Sequence, residues 1–321
     1  MAGIARIRNS DIYPADNSAI AAAADILRAG GIVAVPTETV YGLAADAANS
    51  SAVAAVYRAK GRPDFNPLIV HVIDLPAAKK IAQFDARAEA LARHFWPGPL
   101  TMVLPLAPGA AISAAVTAGL ATIAVRCPAH PVMRRLLQVS GLALAAPSAN
   151  RSGRISPTRA QHILDGFGDA APMVLDGGAC SAGLESTIIA LRQAGWQLLR
   201  HGPITSEQIA AVLQTPPLPV TQNKIEAPGQ LASHYAPVKK LRLNAVTAAP
   251  DEWHIGFGGI AGDDNLSAAG DLAAAAARLF DALHIADASG RSAIAVAPIP
   301  GDGIGAAICD RLTRAARADH G

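Results

Sequence analysis

Two apolar runs, IVAV (32–35) and PLIVHV (67–72), enclose a stretch too polar to be core and too hemmed in to be an ordinary surface loop. It holds PTETVYGL (36–43) and KGRPDFNPL (60–68), with three hydroxyl side chains, Thr37, Thr39 and Tyr41, inside five positions. A core face needs apolar periodicity, which this stretch lacks. Rigid strands with a polar loop between them are the usual way to present binding groups. Lys60, Arg62, Asn66 and His71 add cations, an amide and an imidazole, a set suited to a small anionic ligand. The chain is thereby constrained to strands whose ends carry a polar pocket.

Elements continue in mixed order. Ser18 caps a helix over 19–29 that Gly30 and Gly31 stop, and strand 32–35 follows. A helix is expected near 50–59 and a strand over 67–73. Further strands are read at 100–106, 122–127, 142–146, 173–176, 186–191 and 196–200, with helices near 87–95, 131–139, 158–166 and 205–214. Some strands are consecutive, so the sheet is α/β or α+β and not strictly parallel. The segment 215–237 carries five prolines and no periodicity, the mark of a linker. Beyond it, strands at 239–243, 253–257 and 293–298 with helices at 267–286 and 304–317 make a smaller α/β unit. The division expected is 1–214, a linker over 215–237, and 238–321.

With 321 residues the chain is long enough for two domains, and with 51% apolar but 4% aromatic residues its core must be built from Ala, Val, Ile and Leu. A net charge of +2 argues against the broad basic face of a nucleic-acid binder, so no stable nucleic-acid binding is expected. Cys127, Cys180 and Cys309 are far apart, which disfavours a disulfide framework or a zinc site and suits a reducing compartment. The first residues lack a signal-peptide core, and no run reaches membrane-spanning length. A soluble cytoplasmic protein with no membrane partner is expected.

Familiar catalytic signatures are missing. The sequence has no GxxxxGK[ST], no HExxH and no GxSxG. GDGIGA (301–306) formally fits a dinucleotide fingerprint, but no strand follows it and no acidic residue stands about twenty positions on, so a glycine turn capping the last helix is the better reading. KGR (60–62) is either a solvated helix end or a phosphate clamp. PSAN (147–150), with Ser148, Asn150 and then Ser152 and Ser156, is either turn chemistry or a donor-rich loop for phosphate and ribose. Arg126 at the end of TIAVR is a surface charge or a carboxylate clamp, and His71 is a satisfied core histidine or a ligand contact. Ser186 in GLESTII and Arg200 in LLRHG also stand at strand ends.

Taken together, PTETVYGL, the KxR of Lys60 and Arg62, NPL, the SxN of Ser148 and Asn150, ESTI, SHYAP (233–237) and GIG with AICDRLTRAA resemble the two-domain threonylcarbamoyl-AMP synthase family over nearly the whole chain. The resemblance implies a YrdC-like α/β domain, a twisted mixed sheet with a concave cavity, followed by a smaller Rossmann-like α/β domain. It implies condensation of L-threonine, bicarbonate or CO2, and ATP into threonylcarbamoyl-AMP and pyrophosphate. The product would pass to a tRNA threonylcarbamoyl transferase complex for modification beside the anticodon. Because the substrate carries its own nucleophile, the protein would supply only positioning and charge neutralisation.

By the same resemblance Thr39, His71, Arg126 and Ser186 surround threonine, with Arg126 on its carboxylate and the Ala146 backbone nearby. Arg62, Asn66, Thr122, Ser148, Ser156 and Arg200 hold ATP. Lys60 and Asn150 complete the charged cavity with Arg62 and Ser148 as the catalytic set. Magnesium would come with ATP, since no carboxylate cage is evident for it. The polar tips of His234 and Tyr235 at the end of the linker are placed to reach the nucleotide or threonine, and we expect the linker to fold back as a lid. An RNA-binding module without turnover is the competing reading, disfavoured by the near-neutral charge.

Overall fold

The computed structural model describes residues 12–219, 226–228 and 234–317. β1 (Ile12–Pro14), α1 (Asn17–Arg28), β2 (Val33–Val35) and β3 (Gly42–Asp46) open the first unit. Next come α2 (Ser50–Lys60), β4 (Ile69–His71), α3 (Leu75–Lys79), α4 (Ala86–Phe95) and β5 (Leu100–Pro105). They are followed by α5 (Ala114–Thr117), β6 (Thr122–Arg126), α6 (Pro131–Ser140), β7 (Leu144–Ala145) and α7 (Ala160–Phe167). β8 (Met173–Asp176), β9 (Thr187–Arg192), β10 (Gly195–Arg200) and α8 (Ser206–Leu213) complete it. The ten strands form one mixed sheet in the order β1-β8-β2-β3-β7-β4-β6-β5-β9-β10.

The second unit contains β11 (Lys240–Arg242), β12 (Glu252–Gly256), β13 (Asp264–Asn265), α9 (Leu272–Ala288), β14 (Ala293–Val296) and α10 (Gly305–Ala316). Its sheet is parallel throughout, in the order β11-β14-β12-β13. α9 and α10 cover it, as the hydrophobic runs of a parallel sheet require. Gly305 opens α10 so tightly that a Cβ there would lie 2.0 Å from the Pro300 carbonyl oxygen. Packing of the chain on itself accounts for that glycine.

Several expectations shift. α1 is capped by Asp16, whose carboxylate accepts the Ala19 amide at 2.8 Å and the Ser18 hydroxyl at 2.7 Å, so Ser18 serves the cap and is not the cap. α9 starts at Leu272 behind Asp271, which takes the Ala273 and Ala274 amides, and not at 267. β1, β3 and β13 had no counterpart in the sequence reading. GLAAD of β3 is central in the sheet and buried on both faces up to Ala45, so it shows no alternation to read.

The two units share a core. Val40, Ile155 and Leu184 of the first unit pack with Leu279, Phe280 and Leu283 of α9, and Tyr235 joins them. Gly183, at φ +66°, lets the loop before β9 touch α9: a Cβ there would stand 2.5 Å from the backbone of Ala276 and Ala277. Of the expected linker, 220–225 and 229–233 lie outside the described residues, as does the start of the chain read for a leader. The rest is packed. The Trp196 indole donates to the Thr215 carbonyl at 3.0 Å, Leu218 donates to the Trp196 carbonyl at 2.7 Å, and Arg192 pairs with Glu226 at 2.7 Å. Ala227 is buried on the sheet beside Ile69 and Val103. Among the described residues no helix is long and apolar enough to cross a membrane.

Candidate active site

β4 and β6 run parallel with His71 opposite Arg126, so both side chains leave their strand ends on one side. Ser148 bridges Gly42 at the start of β3, Ser186 directly precedes β9, and Arg200 ends β10. These strand ends enclose a cavity also lined by Thr37, Thr39, Arg62, Ala146, Glu185 and Pro228. His234 and Tyr235 form the rest of its wall. About 40 Å³ is left free, against roughly 300–1,000 Å³ for a typical small-molecule site, so the cavity as walled by these two rings is small. Tyr235 holds a left-handed φ of +66°, a strained choice for a residue with a Cβ.

Arg126 is held on all three nitrogens. Nε donates to the Gly98 carbonyl at 3.2 Å, Nη1 to Thr39 Oγ1 at 2.9 Å, and Nη2 pairs with Glu38 Oε1 at 2.7 Å. Thr39 Oγ1 in turn lies 2.8 Å from Thr37 Oγ1. Arg200 donates to the carbonyl and hydroxyl oxygens of Ser186 at 3.0 and 3.1 Å, and reaches the Pro228 carbonyl at 3.4 Å. Arg62 donates to the carbonyls of Asn66 and Pro67 at 3.2 and 2.9 Å, and burial pulls its pKa down to about 10.

Lys60 ends α2, but it is 3% exposed, which overturns the solvated-helix-end alternative. Gly61, in the left-handed region, closes the helix and turns the chain inward. The Lys60 ammonium donates to the carbonyls of Ser148 and Asn150, both at 2.5 Å, fastening the PSAN loop to α2. Burial pushes its pKa well down. His71 is held neutral, its pKa lowered to about 3 by burial and then by Arg126. Burial and the surrounding cations do the same to His234.

The charge balance is lopsided. Among the described residues Lys60, Arg62, Arg126, Arg200 and Arg311 are buried cations, and the buried carboxylates are Glu38 and Glu185. Glu38 is taken by Arg126, and Glu185 by Arg311 Nε at 2.8 Å. Lys60, Arg62 and Arg200 thus have only neutral oxygen partners among the described residues. Burying cations in excess of carboxylates is costly, so a fold that collects five against two is suited to an anion.

Thr39, Arg62, His71, Arg126, Ala146, Ser148, Ser186, Arg200, His234 and Tyr235 therefore come together in one cavity. Lys60, Asn66, Asn150 and Ser156 stand behind its wall; Ser156 donates to Glu185 at 2.5 Å, and Asn150 donates to the carbonyls of Arg151 and Arg154 at 2.8 Å. Thr122 is not brought in. It opens β6, opposite Pro105 and four residues before Arg126, which at about 3.3 Å per residue puts it at the far end of the strand. Three residues of the site escaped sequence reading. Glu38 lay unweighed inside PTET and Glu185 inside GLEST, whereas Arg311 comes from α10 and carries no local signal.

Comparison with known proteins agrees with this geometry. The "Telomere recombination" family model matches residues 25–202, and the "Threonylcarbamoyl-AMP synthase, C-terminal domain" model matches 204–317. The threonylcarbamoyl-AMP synthase of Bacillus subtilis is 38% identical over 96% of this chain and 95% of its own length. The chain belongs to the threonylcarbamoyl-AMP synthase family. It is an enzyme of the nucleotidyltransferase type. The Pyrococcus abyssi synthase is 36% identical over 91% of this chain and 92% of its own. The crystal structure of P. abyssi Sua5 complexed with L-threonine superposes with a TM-score of 0.85 at 34% identity, covering 92% of this chain and 94% of that one.

Proposed function

We propose that the chain condenses L-threonine, bicarbonate or CO2, and ATP into threonylcarbamoyl-AMP and pyrophosphate. The product then serves threonylcarbamoylation of tRNA beside the anticodon through a separate transferase complex. The observation that carries this reading is the set of three buried cations whose hydrogen-bond partners are all neutral oxygens, Lys60, Arg62 and Arg200, beside an arginine with its own carboxylate partner, Arg126. The first group suits a triphosphate, and the second suits the single carboxylate of an amino acid.

Chemically, the threonine amine attacks the carbon of CO2, releasing a proton to solvent, or that of bicarbonate, releasing water as a C–O bond breaks; a carbamate oxygen then attacks the α-phosphorus as the bond to the leaving pyrophosphate breaks. No protein nucleophile is required. Arg126 holds the amino-acid carboxylate beside Thr39, His71, Ala146 and Ser186. Arg62, Ser148 and Arg200, backed by Asn66, Ser156 and the Lys60–Asn150 contact, stabilise charge on the phosphates. Neutral His71 and His234 add polarity without adding positive charge. Closure of His234 and Tyr235 over the cavity keeps water from the carbamate and the mixed anhydride.

Magnesium enters as the ATP complex. Among the described residues no group of three or more His, Cys, Asp or Glu is placed to hold a metal, and both buried carboxylates are engaged by arginines. Magnesium brought with ATP would be held mainly by substrate phosphates and water. The test is pyrophosphate release by the purified chain with magnesium and ATP. It should require both threonine and bicarbonate; equal release without threonine would sink the assignment.

A further inference from the structure

We infer that Glu38 is a positioning residue for the amino-acid end of the cavity: its carboxylate aims the Arg126 guanidinium and keeps phosphate from occupying that end. The inference rests on the proposed function, in which Arg126 receives the threonine carboxylate.

Glu38 is buried, does not line the cavity, and is used on both oxygens. Oε1 pairs with Arg126 Nη2 at 2.7 Å, and Oε2 accepts the amides of Ala129 and His130 at 3.1 and 3.3 Å. Its backbone carbonyl accepts the Ala182 amide at 2.7 Å. The carboxylate is thereby fixed relative to β6, the start of α6 and the loop before β9. Burial alone would raise its pKa, but the adjacent Arg126 more than reverses this and holds it ionised.

A guanidinium has five N–H donors. On Arg126, Gly98 takes the one on Nε and Thr39 takes one on Nη1, whereas Nη2 and Glu38 Oε1 meet as an ion pair at 2.7 Å without a hydrogen bond. Each terminal nitrogen thus keeps at least one N–H, enough for a carboxylate fork. The amino-acid end is also nearly neutral before substrate arrives, whereas Lys60, Arg62 and Arg200 have only neutral hydrogen-bond partners and Arg200 shares Glu185 with Arg311. A polyanion therefore prefers the latter end, and a monoanion with a fork geometry can compete for the former. Like-charge repulsion from Glu38 does the sorting.

The test uses the full chain and its Glu38→Gln and Glu38→Asp variants. Initial rates of ATP consumption are measured against threonine and ATP, with inorganic pyrophosphate as the inhibitor. In Glu38→Gln the threonine KM should rise about tenfold while the ATP KM holds, and pyrophosphate should become competitive with threonine. Glu38→Asp, which keeps the charge, should raise the threonine KM less and leave the inhibition pattern unchanged. A threonine KM within twofold of the unmodified chain in Glu38→Gln overturns the inference. So does a rise of both KM values together in Glu38→Asp, which would mark Glu38 as scaffold only. Failure of the functional reading would show instead in the unmodified chain, as pyrophosphate release indifferent to threonine.

Discussion

The imidazole of His162 stacks on that of His284, centroids 3.9 Å apart and planes inclined by 22°, joining α7 of the first unit to α9 of the second. His284 Nε2 lies 3.2 Å from the Ser156 carbonyl, and His162 Nε2 lies 3.3 Å from Asp281, which Arg159 also grips at 2.8 Å. The contact therefore sets two stacked imidazoles against one carboxylate that Arg159 also holds.

This contact should be acid-sensitive. Burial and then His162 lower the His284 pKa to about 4, although Asp281 and Asp165 pull the other way. A proton on His284 is thus bound more tightly in the unfolded chain, where the pKa is about 6.5. The stabilisation is complete above that value and is lost as pH falls toward 4, amounting to about 3 kcal/mol at most. Melting temperatures followed from pH 7 to 4 should fall, and the fall should be shallower in His284→Gln. Parallel curves for the two proteins would show that this ring does not titrate on unfolding.

Arg311 should matter more than a residue of the second unit ordinarily would. It pairs with Glu185 at 2.8 Å, donates to the His201 carbonyl at 2.8 Å, and lies 5.1 Å from the centre of the Tyr235 ring. Arg311→Ala strands a buried carboxylate, which typically costs about 3–5 kcal/mol. Pairing Arg311→Met with Glu185→Gln should recover much of that stability in a denaturant titration without recovering turnover. Recovered turnover would mean the ion pair is structural alone.

Lys60 and Arg62 should separate in their effects. Lys60→Ala orphans two buried carbonyls at about 1–3 kcal/mol each, so it should lower both stability and rate. Arg62→Ala should lose roughly two to three orders of magnitude in turnover with a smaller change in melting temperature. Rates near normal in Arg62→Ala would remove it from the phosphate site.

Gly183→Ala should loosen the join between the units. Its φ of +66° and the 2.5 Å approach to Ala276 and Ala277 leave no place for a methyl group. The left-handed backbone alone costs about 1–2 kcal/mol, and the clash with helix backbone adds to it. The variant should show a larger radius in solution scattering and a weaker response to ATP. An unchanged radius with full activity would mean α9 yields without separating.

Legibility followed locality. His71 and Arg126 could be anticipated because each ends an apolar run, and parallel pairing of those runs brings them side by side. Thr122 shares the run with Arg126, yet strand geometry carries it away from the cavity. Lys60 was ambiguous on paper, since a helix end is solvated unless another loop covers it, and only the fold reveals the PSAN loop doing so. Arg311 could not be read at all. Its partner Glu185 is 126 positions earlier, and nothing in the residues around either one records the meeting.

That distance has a bearing on synthesis. Nearly every strand-end group of the cavity has been made by the time β10 leaves the ribosome, yet the carboxylate in its wall lacks its ion-pair partner until α10 follows. A chain that stops before α10 therefore lacks the Arg311 contact on Glu185, and the charge pattern of the wall is completed only by the last helix.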